Sequence, residues 1–217
     1  MVFNKDAAAK VAEYLLQVKA IKLQPNDPFT WASGWKSPIY CDNRVTLSYP
    51  KIRTYVRQQL ASAVIDTFGK PDVIVGVATG AIAQGALVAQ DLGVSFAYVR
   101  SAPKDHGLGN IIEGVVNSGQ SVVVIEDLIS TGKSSLKAVE SLRAAGATVL
   151  GMAAIFTYDF DVAHKSFKKE KCDLVTLSDY DVLIQQAVKS GYITENQQDL
   201  IKSWRMDPEN WGKLIEK

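Results

Sequence analysis

Glu126 and Asp127 stand side by side after four β-branched residues, Val122 to Ile125, and are followed by Ser130, Thr131, Gly132, Lys133 and Ser134. Carboxylates so placed accept hydrogen bonds from sugar hydroxyls. Small hydroxyl and glycine residues let several backbone N–H groups converge on one phosphate, helped by the positive end of a helix. The two halves together read as a ribose-phosphate site. The elements that must position them follow from the pattern around them. A continuous apolar run suits a strand buried on both faces of a parallel sheet, and ligands sit beyond the carboxyl ends of such strands. Leu136, Val139 and Leu142 then recur at helical spacing. The stretch is therefore strand, acidic turn, helix start. Gly132-Lys133-Ser134 also copies the tail of the ATP-binding P-loop, but that motif needs a glycine where Asp127 stands, and this reading is set aside. The plainer alternative is a buried strand that happens to end in a charged turn. Adjacent carboxylates with no arginine beside them repel, which argues against a structural role for both.

Three further stretches carry candidate groups. Ala78, Thr79 and Gly80 turn from the apolar run Val73 to Val77 into a helical pattern from Ala81 to Leu92. Small residues there allow close backbone approach to an anion, although a plain strand-to-helix turn needs them too. Arg100, Lys104 and His106 lie among Pro103, Gly107 and Gly109, which leaves a mobile lid or a solvated surface loop rather than a helix or central strand. Trp31, Trp35 and Tyr40 read, on residue type alone, as a hairpin packed on the core.

The chain has 217 residues, 47% hydrophobic and 22% charged, as expected of one globular domain with a sizeable core. A formal net charge of +1 favours neither nucleic acid nor an anionic membrane. Cys41 and Cys172 form no Cys-x-x-Cys pattern, which argues against zinc or a disulfide framework and for a reducing, cytoplasmic setting. Lys5, Asp6 and Lys10 interrupt the first alanines, and Thr79, Gly80 and Gln84 interrupt the longest apolar stretch, so neither a signal-peptide core nor a membrane span is expected.

Asn4 caps a first expected helix through Val11, Leu15 and Val18; Ser48 precedes a second through Ile52, Val56, Leu60 and Val64, stopped by Gly69 and Pro71. Val94 to Val99, Thr148 to Ile155 and Asp173 to Leu177 add strands to Val73–Val77 and the central run. Ser178, then Thr194 with Gln197, then Asp207 with Pro208 begin carboxyl-terminal helices in which Trp204 and Trp211 are core anchors. The expected fold is an open α/β domain with a largely parallel sheet of about five strands and helices on both faces.

Val122 to Ser134 resembles the phosphoribosyl pyrophosphate motif of the type I phosphoribosyltransferases. Phe29 to Asp42 resembles the amino-terminal signature of the orotate phosphoribosyltransferases, and Arg100, Lys104, His106 and Gly107 resemble their catalytic loop. The resemblance covers almost the whole chain. It implies a single domain over residues 1–217, with a hood over the base up to about residue 45, a core sheet over about 70–178 and a flexible loop over 100–113. The implied reaction joins orotate to 5-phosphoribosyl 1-pyrophosphate, giving orotidine 5′-monophosphate and pyrophosphate, with Mg²⁺ carried by the donor and no direct protein metal site. It also implies a homodimer in which each loop closes over the neighbour's site. Glu126 and Asp127 would hold ribose hydroxyls, with Asp127 also stabilising cationic ribose. Ser130 to Ser134 would hold the 5′-phosphate, with Leu128 and Ile129 also part of the donor site, and Ala78, Thr79 and Gly80, through a turn with a cis peptide, would hold the pyrophosphate. Arg100, Lys104 and His106 would neutralise the leaving group. Orotate would lie against Tyr40, Cys41, Ser130 and Arg44, with Lys36 a second candidate cation. The chain departs from the family pattern at five places: Cys41 for an aromatic, Ala32, Gly80 and Ser101 for lysines, and Phe156 to Phe160 without an arginine. A phosphoribosyltransferase for another base and a non-catalytic ligand-sensing regulator remain the alternatives.

Overall fold

The apolar runs do become the centre of a sheet. The computed structural model describes residues 2–31, 34–100 and 111–212. In chain order the elements are α1 (Lys5–Gln17), β1 (Ile21–Leu23), β2 (Phe29–Thr30), β3 (Lys36–Ser37), β4 (Ile39–Cys41), a 3-10 turn (Asn43–Ser48), α2 (Pro50–Phe68), β5 (Val73–Val77), α3 (Ile82–Leu92), β6 (Ser95–Val99), β7 (Ile112–Glu113), β8 (Ser121–Ile129), α4 (Lys133–Ala144), β9 (Thr148–Thr157), α5 (Asp161–Lys169), β10 (Leu174–Asp179), α6 (Tyr180–Lys189) and α7 (Glu195–Met206). The main sheet runs β10-β9-β8-β5-β6-β7. Its first five strands are parallel, as expected; the sixth, β7, is a two-residue antiparallel edge strand pairing Tyr98 with Glu113 and Val99 with Ile112. Two residues carry no readable alternation, so β7 escapes sequence analysis.

Period-2 alternation splits the interior into two layers. Val123 and Ile125 of β8 join Ile74 in one layer with residues of α1, α2, α3, α6 and α7. Val122 and Val124 face the other way, into a layer closed by Leu136, Val139 and Leu142 of α4 and Phe167 of α5. Helices thus cover both faces, and none among the described residues is long and apolar enough to cross a membrane.

The amino-terminal hood is two small antiparallel ladders, β1 with β4 and β2 with β3. Trp31 anchors it: its Nε1 donates to the Ile39 carbonyl at 3.1 Å and its ring lies 5.5 Å from Tyr158 and 5.4 Å from Trp204. Trp204, fully buried, donates from Nε1 to the Lys36 carbonyl at 3.2 Å. The carboxyl-terminal helix therefore clamps the hood onto the sheet. Two caps differ from expectation. Ser48 lies inside the 3-10 turn, and α2 begins with Pro50 at its first position. Ser178 lies in β10 and donates to the Ala8 carbonyl, while Asp179 caps α6 through the Val182 N–H. The strand runs two residues further than its apolar pattern because Ser178 finds a partner in α1.

Candidate active site at the acidic turn

β8 runs on through Glu126 and Asp127 to Ile129, so the expected acidic turn is the end of the strand, and the loop after it faces the turn that follows β5 across a cleft of about 380 Å³. Its walls include Ala78, Thr79, Gly80, Arg100, Glu126, Asp127, Leu128, Ser130, Thr131, Gly132 and Ser134, bringing three separate stretches together. The Ala78–Thr79 peptide bond is cis, as the family resemblance led one to expect. Gly80 lies against the Asp127 side chain so closely that any Cβ there would collide with the carboxylate. The lysine of relatives could enter this position only if Asp127 moved.

The helix start is shaped by Gly132, whose φ of +79° suits glycine and where a Cβ would lie 2.7 Å from the Phe167 ring. α4 then begins at Lys133, and the N–H groups of its first turn have no intrahelical acceptor. They lie at the cleft edge with the hydroxyls of Ser130, Thr131 and Ser134, an arrangement fit for an anion.

The two carboxylates, alike in sequence, differ in surroundings. Glu126 is 5% exposed; it accepts from Ser135 Oγ at 2.7 Å and from the Asp127 N–H at 3.0 Å. Burial, and next the neighbouring Asp127 charge, push its carboxyl up to about 8. Asp127 is only partly buried and opens to the cleft. One acid braces strand to helix and holds a proton at neutral pH; the other opens its carboxyl group to whatever enters. This has a measurable consequence. A folded-state value raised from 4.5 to about 8 means the folded chain keeps a proton that the unfolded chain has released, so wild-type stability should fall across that window and level off above it. Glu126→Gln should remove that slope and be more stable than wild type near pH 9, by a few kcal/mol of unfolding free energy at about 1.4 kcal/mol per unit. Denaturant titrations of both proteins from about pH 5 to about pH 9 would check this; parallel profiles would contradict it.

Other expected residues are distributed unevenly. Ile129 is fully buried in the layer beneath the cleft, and Lys133 lines a separate groove with Leu136 and Glu140 rather than the cleft. Arg100 lies in the cleft wall; its backbone N–H donates to the Ile111 carbonyl at 2.8 Å and its Nη1 is 3.6 Å from Glu113 Oε1, so the two ends of the loop meet in a short stem. Lys104 and His106 fall outside the described residues, as do Ala32 and Ser101. Tyr40 and Cys41 belong to the hood and Arg44 to the 3-10 turn after it, and none of the three lines the cleft. Arg44 pairs with Asp42 through two hydrogen bonds, Nε to Oδ1 at 2.7 Å and Nη2 to Oδ2 at 2.9 Å, and Lys36 Nζ donates to Thr30 Oγ1 at 3.0 Å. Either cation must share or leave its partner to take a carboxylate. Sequence reasoning missed Lys137 and Ser141, which line the cleft from α4. Their spacing from Lys133 and Ser134, four and seven residues on, is the signal that could have found them.

Comparison with known proteins follows the same lines. The phosphoribosyl transferase domain family matches residues 51–190. The chain is 58% identical to the orotate phosphoribosyltransferase of Porphyromonas gingivalis over 93% of this chain and 96% of that one. Among solved structures it is similar to orotate phosphoribosyltransferase from Aeropyrum pernix, with a TM-score of 0.72, 26% identity and coverage of 85% and 99% of the two chains. It is also similar to Leishmania donovani UMP synthase, with a TM-score of 0.78, 28% identity and coverage of 93% of this chain but 43% of that longer one.

Proposed function

This chain belongs to the orotate phosphoribosyltransferase family, and we propose that its cleft transfers the phosphoribosyl group of 5-phosphoribosyl 1-pyrophosphate to orotate, giving orotidine 5′-monophosphate and pyrophosphate for pyrimidine synthesis. One observation carries the reading: the acidic end of β8, the start of α4 and the Ala78–Gly80 turn line a single cleft. A donor with a phosphate at one end, a diphosphate at the other and a sugar between them fits that order of groups.

The chemistry asks for positioning and charge rather than a covalent nucleophile. As the bond to pyrophosphate stretches, positive charge grows on the ribose, and Asp127 is the carboxylate placed to oppose it. Glu126 holds Asp127's backbone N–H and Ser135, fixing the end of β8 against α4. The loop from Ser130 to Ser134 receives the 5′-phosphate, and Ala78 to Gly80 the diphosphate. Arg100 meets the growing negative charge on the leaving group, joined by Lys104 and His106 from the loop of a second copy. Orotate lies under the hood, beside Tyr40, Cys41 and Ser130, with Arg44 or Lys36 near its carboxylate.

The oxygen-rich cleft, with its carboxylates and hydroxyls, suits a hard divalent cation bound chiefly by the donor's phosphates and water. Mg²⁺ so carried would neutralise diphosphate charge as it departs. We place the enzyme in the cytoplasm as a homodimer. Orotate, donor and Mg²⁺ should yield one pyrophosphate per orotidine 5′-monophosphate; chelation should abolish turnover and added Mg²⁺ restore it. Undiminished turnover after exhaustive chelation would remove the cation from the scheme.

A further inference from the structure

Asp127 lies near the carboxyl end of β8. The β5–β8 register runs only to Gly76 opposite Ile125, and the β8–β9 register passes from Glu126 opposite Ala154 to Leu128 opposite Phe156, skipping the residue between. Side chains reach both of its backbone groups. Its N–H donates to Glu126 Oε1, and its carbonyl accepts from Asn43 Nδ2 at 2.6 Å.

Asn43 is 2% exposed and lies 84 residues away in sequence, at the start of the 3-10 turn that follows the hood. Its amide can face only one way. A backbone carbonyl can only accept, so the atom toward Asp127 must be the nitrogen. The oxygen is then left for the Cys41 Sγ, which donates to it at 3.4 Å. Burial, with the Asp127 and Asp42 charges behind it, pushes the Cys41 thiol well above its ordinary value, so it stays a donor at neutral pH. Thr46 Oγ1 donates to Asn43's own carbonyl at 2.6 Å and locks the turn. A short contact to the Asp127 carbonyl from a turn locked in this way sets the direction in which the Asp127 side chain leaves the backbone.

We propose that Asn43 is the positioning residue for Asp127, aiming its carboxylate into the cleft from the hood side. The inference rests on the orotate phosphoribosyltransferase reading and assigns Asn43 no contact with substrate. Small misplacements of a group that acts in the transition state cost up to about 10² in rate.

The test is steady-state kinetics of Asn43→Ala and Asn43→Asp beside wild type, with thermal melting to establish folding. Asn43→Ala should lose about ten- to a hundredfold in kcat, with the Michaelis constants of both substrates changed little, because the contact matters in the transition state rather than in ground-state binding. Asn43→Asp should behave similarly at alkaline pH. On acidification its new carboxyl gains a proton, can donate to the Asp127 carbonyl, and should recover activity relative to wild type. The charged and titratable groups near that position are Cys41, Asp42 and Arg44 beside it, Glu126 and Asp127 on β8 and Arg53 on α2. Asn43→Ala retains all of them and supplies the baseline, so its ratio to wild type should stay flat. A folded Asn43→Ala with wild-type kcat, a loss confined to Michaelis constants, or an Asn43→Asp ratio that does not rise toward acid pH would each overturn the positioning role. Should Asn43→Ala not fold, the Asn43→Asp profile decides alone. Wild type inactive with orotate would instead strike the functional reading on which this rests.

Discussion

Asp127→Asn is expected to fold normally and to lose about 10² to 10³ in turnover, the usual cost of one preorganised electrostatic contact. The substitution keeps shape and size and removes only the charge. The surroundings make that charge specific to Asp127. Glu126 is buried, braced by Ser135 and raised to about 8, so near neutral pH it carries a proton and cannot deputise. Gly80 packs against the Asp127 side chain, leaving little room for another group to take its place. Because the developing ribose cation exists only in the transition state, kcat should fall with modest change in the Michaelis constants. Near-normal turnover in a folded Asp127→Asn protein would take this residue out of the mechanism.

Mixing two crippled proteins should restore activity. If the loop of one subunit completes the site of its neighbour, Lys104→Ala and Asp127→Asn damage different subunits of the same site. A mixed dimer then holds one site with both defects and one with neither. Random exchange makes half the dimers mixed, so recovery should approach about a quarter of the wild-type rate, from a starting point near zero. The stem formed by Arg100, Ile111 and Glu113 marks where that loop leaves the sheet. No recovery despite demonstrated heterodimers would place the loop over its own cleft and end the shared-site proposal.

Much of this arrangement was legible in the chain because the site lies where patterns change. The β-branched run ending at Ile125 marked β8, although the strand runs on through both carboxylates to Ile129, and the small residues before Leu136 marked the loop into α4. The Thr194–Gln197 capping box and the buried Trp204 and Trp211 likewise followed from residue type and spacing. What stayed hidden depends on tertiary neighbours. Glu126 and Asp127 are equivalent on paper, and only the packing of Ser135 beneath one of them makes the first a brace and the second a cleft group. Asn43 sits in an unremarkable polar turn, and its partner is a backbone carbonyl, which leaves no trace in side-chain chemistry. Arg44 read as a free cation, whereas Asp42, two residues before it, already holds its guanidinium. Ser178 read as a helix cap because Ser and Asp share that preference, and the contact with Ala8 that keeps it in β10 is 170 residues distant.

The account stands most directly on which base accepts the phosphoribosyl group. Purified enzyme with 5-phosphoribosyl 1-pyrophosphate and Mg²⁺ should be offered orotate, uracil, adenine, guanine and hypoxanthine in one competition, and the nucleotide products identified by mass. A site built for the orotate carboxylate leaves its donors unpaired against an uncharged base, which typically costs about 10⁴ or more in discrimination. The account predicts orotidine 5′-monophosphate with only traces of any other nucleotide; a preference for uracil or a purine would contradict it.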